Sequence, residues 1–230
     1  MDRRIAILSM AAALGLAGRA RANSEKRVPA GDGIPFLKIY LEVPQSERQH
    51  STVVYFAMRN RHPAPDIKAW IEDSAGRRTP LTLDRDGMVT NLPSLAEIKN
   101  GAMLVVDESG GKVGFFLQIR ADVPVSGPIE VARLRESLDE VNRAISKRAG
   151  LLAFAAPKMN GCLFVGASSG RVMGPDGAST TLPNAGPTPY FAQDLAPTGG
   201  LVYLDRAPTA ILIGSFRRPA RSPGAHGPRG

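Results

Sequence analysis

One stretch of the chain has the periodicity of a helix, GPIEVARLRESLDEVNRAISKRAG at 127–150, and it is flanked on both sides by short strand-like runs. Val131, Leu134, Leu138, Val141 and Ile145 recur at steps of three and four, which lays one apolar stripe along a helix. Pro128 suits a first helical position, Glu130 suits the positive end of the dipole, and Lys147 and Arg148 suit the negative end, with Gly150 as a left-handed stop. Arg135–Asp139 and Asp139–Arg143 are spaced as i,i+4 pairs on the outer face. A helix with one apolar face must cover something. β-sheet is the partner the neighbouring sequence offers. A coiled coil would need more than this one helix, and a membrane-surface helix would carry a more uniformly basic face. Leu134, Leu138, Val141 and Ile145 are therefore expected against sheet.

Before the helix, the alternation in FLKIYLEV (36–43), then STVVYFAMR (51–59), DIKAWIE (66–72), TPLTLD with MVTN, and AMLVVD with VGFFLQIR give about seven short strands, the last four read as two hairpins. After it come LLAFA, GCLFV, STTL, the Pro/Gly-rich loop 184–199, GLVYLD and TAILIGSF. The two flanks share colinear landmarks. Asp86-Gly87-x-x-Thr90-x-Leu92-Pro93 recurs from Asp176 to Pro183, and Gly101–Asp107 recurs as Gly199–Asp205. Phe56-Ala57 matches Phe154-Ala155, and Ser74-Ala75-Gly76 matches Ser168-Ser169-Gly170. Duplication of a β unit is the economical reading. The alternative is that Asp-Gly recurs wherever a tight hairpin closes. The expected fold is mainly β (α+β): two β-sandwich-like units, duplicated on the first reading, joined by one amphipathic helix. The boundaries are 1–22 leader, 34–126 first β unit, 127–150 helix, 151–216 second β unit and 217–230 basic tail.

The ends account for most of the charge. Residues 1–22 carry a net +3 and residues 217–230 a net +4, so of the chain's +8 only +1 remains for 23–216. A near-neutral body argues against a nucleic-acid groove. Residues 1–22 have the order of an export signal: a charged start, an apolar run at 5–18, and Ala20-Arg21-Ala22 before Asn23. Fourteen helical residues would span only about 21 Å, too short for a stable membrane span. Ordinary secretion suits this leader better than the twin-arginine route, which Arg3-Arg4 leaves open. A periplasmic location follows. The tail, with four arginines and little apolar content, reads as disordered and as a solubility element before an anionic-lipid binder.

No catalytic, cofactor-binding or metal-ligating set is expected. Gly166-Ala167-Ser168-Ser169-Gly170 matches a nucleophile elbow, but RVMGPDGAST after it cannot form the helix that motif requires. Asp84-x-Asp86-Gly87 resembles part of a calcium loop, with Pro93 where the bidentate glutamate belongs. His50, His62 and His226 do not cluster, and Cys162, the single cysteine, lies in an apolar run. Arg59, Arg61 and His62 beside Trp70 would make a small cationic–aromatic patch, or only a solvated loop. The junction Asn142–Gly161, with its helix end, Leu151–Ala155 and then Ala156-Pro157-Lys158-Met159-Asn160-Gly161, resembles a family of uncharacterised proteobacterial periplasmic proteins, a domain of unknown function. That resemblance implies periplasmic location and no assigned activity.

Three functions remain. The first is an exported, non-enzymatic envelope-associated binding module, presenting loops such as 184–199 to an envelope protein or polysaccharide. The second is a cell-envelope hydrolase with a dispersed site. The third is an assembly factor or chaperone that pairs a strand edge with a client. The sequence leaves the oligomeric state open.

Overall fold

A computed structural model describes residues 25–149, 158–196 and 199–216. In chain order the first half runs β1 (Glu25–Pro29), α1 (Ala30–Gly33), α2 (Leu37–Glu42), a 3-10 turn (Gln45–Glu47), β2 (Ser51–Arg59), β3 (His62–Pro63), β4 (Ala69–Glu72), β5 (Arg78–Pro80), α3 (Leu95–Lys99), β6 (Met103–Asp107) and β7 (Val113–Ala121). The second half runs β8 (Ile129–Glu130), α4 (Val131–Ala149), β9 (Gly161–Val165), β10 (Gly170–Met173), β11 (Ser179–Thr181), β12 (Asn184–Ala185), β13 (Thr188–Ala192), β14 (Leu201–Leu204) and β15 (Ala210–Gly214). The protein is mainly β, in three antiparallel sheets. Two have four strands each, ordered β1-β6-β4-β5 and β8-β14-β10-β11, and the third has seven, ordered β12-β13-β9-β15-β7-β2-β3.

The two small sheets have one wiring. Ile71 faces Leu104 between β4 and β6, and Val172 faces Val202 between β10 and β14. Past the next strand, Leu81 N donates to Ala69 O at 2.8 Å and Leu182 N to Gly170 O at 2.9 Å. At the first helical residue, Ala30 N donates to Ala102 O at 2.9 Å and Val131 N to Gly200 O at 3.0 Å. Gly101–Asp107 and Gly199–Asp205 thus hold equivalent places. Two other sequence landmarks do not. Asp86-Gly87 turns the chain after β5, where Leu83 bridges Val89, whereas Asp176-Gly177 turns it between β10 and β11. Ser74-Ala75-Gly76 lies in the β4–β5 turn, but Ser168-Ser169-Gly170 leads into β10. Phe154-Ala155 lies outside the described residues, as do the leader and tail. The Asp-Gly recurrence is turn chemistry, since both glycines sit at φ +81, which glycine adopts without strain.

Each half has its own core. The first packs Tyr55 and Ala57 of β2 against Ile71 of β4, Leu104 of β6 and Ile34 and Leu37 of the α1–α2 region. The second packs Phe164, Phe191, Val202 and Ile211 against α4. The helical stripe is where its period puts it: Val131, Leu134 and Leu138 are fully buried, Val141 is buried, and Ile145 is partly buried against the same core. The stripe belongs to the second core, and polar residues of the same helix tie it to the first half.

Several local expectations change. Residues 36–43 are not a strand; 37–42 form α2, whose inward residues Leu37 and Leu41 are one helical turn apart. Pro35 separates α2 from α1 by disfavouring helical backbone at Ile34. The 127–150 helix starts at Val131, because Ile129 and Glu130 are extended and pair with Val202 and Leu201. Arg135 does not pair with Asp139; its guanidinium donates to Gln193 O and Ala196 O at 2.6 and 2.5 Å. β6 and β7 are not a hairpin, since they lie in different sheets. The stretch expected as a loop from 184 contains two strands, β12 and β13, with Tyr190 and Phe191 buried as β13 pairs with β9.

Candidate functional site

A concave surface with converging polar groups lies where α2, the 3-10 turn and the start of β2 meet the end of β7. α2 carries Tyr40, and Pro44 after it cannot continue the helix, so the chain turns through Gln45–Glu47. That turn leaves Arg48 with its guanidinium 4.7 Å over the Tyr40 ring, while its Nε donates to Val43 O at 3.0 Å. Tyr40, Gln45, Arg48, Gln49, Ser51, Thr52 and Asp122 line an open cleft of about 460 Å³. A smaller hollow of about 300 Å³ lies at Glu42, Val43, Pro44 and Lys147.

A carboxylate from α4 fixes the cleft wall from behind. Glu140, 3% exposed, accepts from Gln49 N at 2.7 Å, His50 N at 2.9 Å and the Ser51 hydroxyl at 2.6 Å. The Ser137 hydroxyl donates to His50 O at 2.7 Å, and Asp122 N reaches the same carbonyl at 2.9 Å. A buried carboxylate is tolerated because its hydrogen bonds replace water. The 49–52 backbone is therefore held rigidly. In the cleft itself, Arg48 makes no ion pair among the described residues. Its donors, with Gln45, Gln49, Thr52 and Asp122, suit a ligand rich in hydroxyls or amides.

The motifs singled out in the sequence lie elsewhere. Ser168 does follow β9 and a left-handed Gly166 (φ +95), but strand β10 comes next, with no helix. Its hydroxyl donates to Asp205 at 2.5 Å, and Arg206 lies 3.3 Å from the same oxygen. The Ser168 hydroxyl, then the amides of Ser168 and Ser169, hold the Asp205 carboxyl well below the usual range. Among the described residues no imidazole bonds to Ser168, so this is an exposed loop clamp. Asp84 spends its carboxylate on Asp86 N and Met88 N, at 2.9 and 2.8 Å, as an Asx turn. Among the described residues no three His, Cys, Asp or Glu groups come together as metal ligands. Arg59 pairs with Asp66 at 2.8 Å, and the cation over Trp70 is Arg78, at 5.8 Å. The Arg59–His62–Trp70 patch is not assembled. Cys162 is buried, and burial pushes its thiol far above the ordinary value. No described helix is long and apolar enough to cross a membrane.

Sequence reasoning missed the cleft because its residues come from two stretches far apart in the chain, and nothing in 40–52 spells out that Asp122 will join them. Comparison with protein-family models, with curated proteins and with solved structures finds no match to this chain.

Proposed function

We propose that the chain is an exported, non-enzymatic binding module of the cell envelope, and that the Tyr40–Arg48–Asp122 cleft is its ligand surface. The ligand class we infer is a hydroxyl-rich polysaccharide segment. The observation that carries this reading is the cleft: shallow, lined by both donors and acceptors, and stiffened from behind by Glu140. A chain of sugar hydroxyls needs many modest hydrogen bonds along an open surface, and no deep apolar pocket. Export rests on the charged start, apolar run and small-x-small site of residues 1–22, and the junction resemblance to periplasmic proteins agrees with it. We read the halves as two sandwich-like copies of one β unit, supported by the matched strand orders of the small sheets. Strand addition by a client is less favoured. β3, β5, β11 and β12 are two or three residues long, and the longer outer strand β1 carries Glu25, Lys26, Arg27 and Pro29, residues that guard edges.

The test is co-sedimentation of the purified chain with isolated envelope polysaccharide, alongside Arg48→Ala. We expect binding by the parent chain and about a tenfold loss in the variant, equivalent to about 1.4 kcal/mol, with an unchanged circular dichroism spectrum. Equal binding by both proteins would remove the cleft from the account. Release of soluble sugar on incubation would replace the binding module with a hydrolase.

A further inference from the structure

The Arg48 side chain is held along one edge and over one ring, and left open at its end. Its Nε donates to Val43 O at 3.0 Å, and its guanidinium carbon lies 4.7 Å from the centre of the Tyr40 ring. Val43 is buried and extended, the backbone that a following proline favours, so the accepting carbonyl stays in place. The backbone beneath Arg48 is tied as well. Arg48 N donates to Gln45 O at 3.2 Å, and the next amide, Gln49 N, donates to the buried Glu140 carboxylate at 2.7 Å. The two terminal amino groups of Arg48 make no hydrogen bond or ion pair among the described residues, and Arg48 lines the cleft. An arginine held in this way has already given up much of its rotamer freedom, so a ligand that bonds to it need not order it. The end of a guanidinium presents two parallel N–H groups. They match the two oxygens of a carboxylate, whereas a single hydroxyl offers only one acceptor atom.

The rest of the lining limits how acidic the ligand can be. Arg48 is the one cation among the lining residues and Asp122 the one anion, and the others are neutral. Asp122 is exposed, and its carboxylate makes no hydrogen bond or ion pair among the described residues, with Arg48 or with any other group. A cleft with one charge of each sign suits a ligand that brings an anionic group to one place and hydrogen-bond donors to another. A ligand with anions all along its length would set one of them against Asp122. Sugars that carry a single carboxylate among hydroxyls have this distribution of charge.

Resting on the reading of the cleft as a polysaccharide site, we propose that its ligand is an acidic polysaccharide, held by one sugar carboxylate in the Arg48 fork. The experiment is co-sedimentation of the purified chain with isolated envelope polysaccharide, and with the same preparation after its carboxyls have been reduced to alcohols. Arg48→Gln and Arg48→Lys are run alongside, with circular dichroism to confirm folding. The parent should bind the reduced polymer at least about tenfold more weakly. Arg48→Gln should bind both preparations alike, because the carboxylate and the fork are two ends of one interaction. Arg48→Lys keeps the charge without the fork and should recover only part of the difference. If neither preparation sediments the parent, the polysaccharide reading fails and this inference fails with it. Equal sedimentation by both leaves that reading standing and overturns the carboxylate. A preference for the unreduced polymer that persists in full in both variants also overturns the proposal, since the carboxylate is then bound elsewhere. Should the variants misfold, modification of the parent by phenylglyoxal, mapped by mass spectrometry, decides the matter. The unreduced polymer should protect Arg48 and the reduced polymer should not, and equal modification with both overturns the proposal.

Discussion

The two halves share a wiring and cover their small sheets by different means. In the second half an unbroken α4 lays Val131, Leu134, Leu138 and Val141 on the core. In the first half the equivalent segment breaks at Pro35 and Phe36, and two short helices, α1 and α2, do the covering. The matched positions explain the difference. Counted from Ala30 and Val131, Gly33 holds the place of Leu134. A Cβ on Gly33 would come within 2.6 Å of both Leu104 Cδ2 and Val28 Cγ2. The first cap rests directly on its sheet, with no room for a side chain, while the second stands off by the thickness of a leucine. The sheets' other faces differ too. Glu72 is buried beneath Arg27 and Arg78, and Arg78 also grips Glu25 with two bonds of 2.9 Å. The second sheet carries Arg171 over Tyr203, at 5.4 Å, and an exposed Glu130–Arg133 contact at 4.0 Å. One topology thus accepts a close cap with an ionic cover or a distant cap with an apolar filling.

Substitutions at the matched positions test that contrast. Leu134→Ala removes the filling under α4 and should cost about 2–5 kcal/mol in chemical denaturation. A cost below about 1 kcal/mol would mean the helix collapses onto the sheet, as its counterpart does. Gly33→Ala is the reverse change, adding a methyl group where two core side chains already stand, and should cost about 1–3 kcal/mol. If it proves neutral, the close approach is not what breaks the first cap. The smallest effect is expected at Phe36, held at φ +61 and 49% exposed. Phe36→Gly should stabilise the protein by up to about 1 kcal/mol, read as a higher melting temperature, because glycine adopts this backbone without strain. A loss instead would show that the exposed ring contributes packing.

These comparisons also mark what the sequence made readable. α4 was legible because its stripe is long and local. α3 could have been found: Ser94-x-x-Glu97 is a capping-box spacing, and both of its hydrogen bonds are present. Residues 36–43 misled because an apolar residue at every second place also satisfies part of a helical face over so few residues. Pro35 was the better guide. The partnership of β6 with β1 and β4, and not with its neighbour β7, was out of reach, because the short turn between them looks the same whether the chain folds back or crosses to another sheet. The cleft was unreadable for a related reason, since the β2–β7 register, with Ser51 opposite Ala121, brings Asp122 beside His50 at the cleft wall.

β7 has a consequence for how the molecule comes apart. Its inward residues divide between the halves, with Val113, Phe115 and Leu117 packed on the first core and Ile119 and Ala121 on the second. A cut at 126/127 would therefore leave the last turnings of β7 bare on one fragment and remove a wall from the other. The halves resemble two rooms with one beam running through both ceilings. Calorimetry should record a single endotherm, with calorimetric and van't Hoff enthalpies in agreement. If the halves descend from a single unit, sharing this strand ended their independence: neither can now melt, be excised or be replaced without the other.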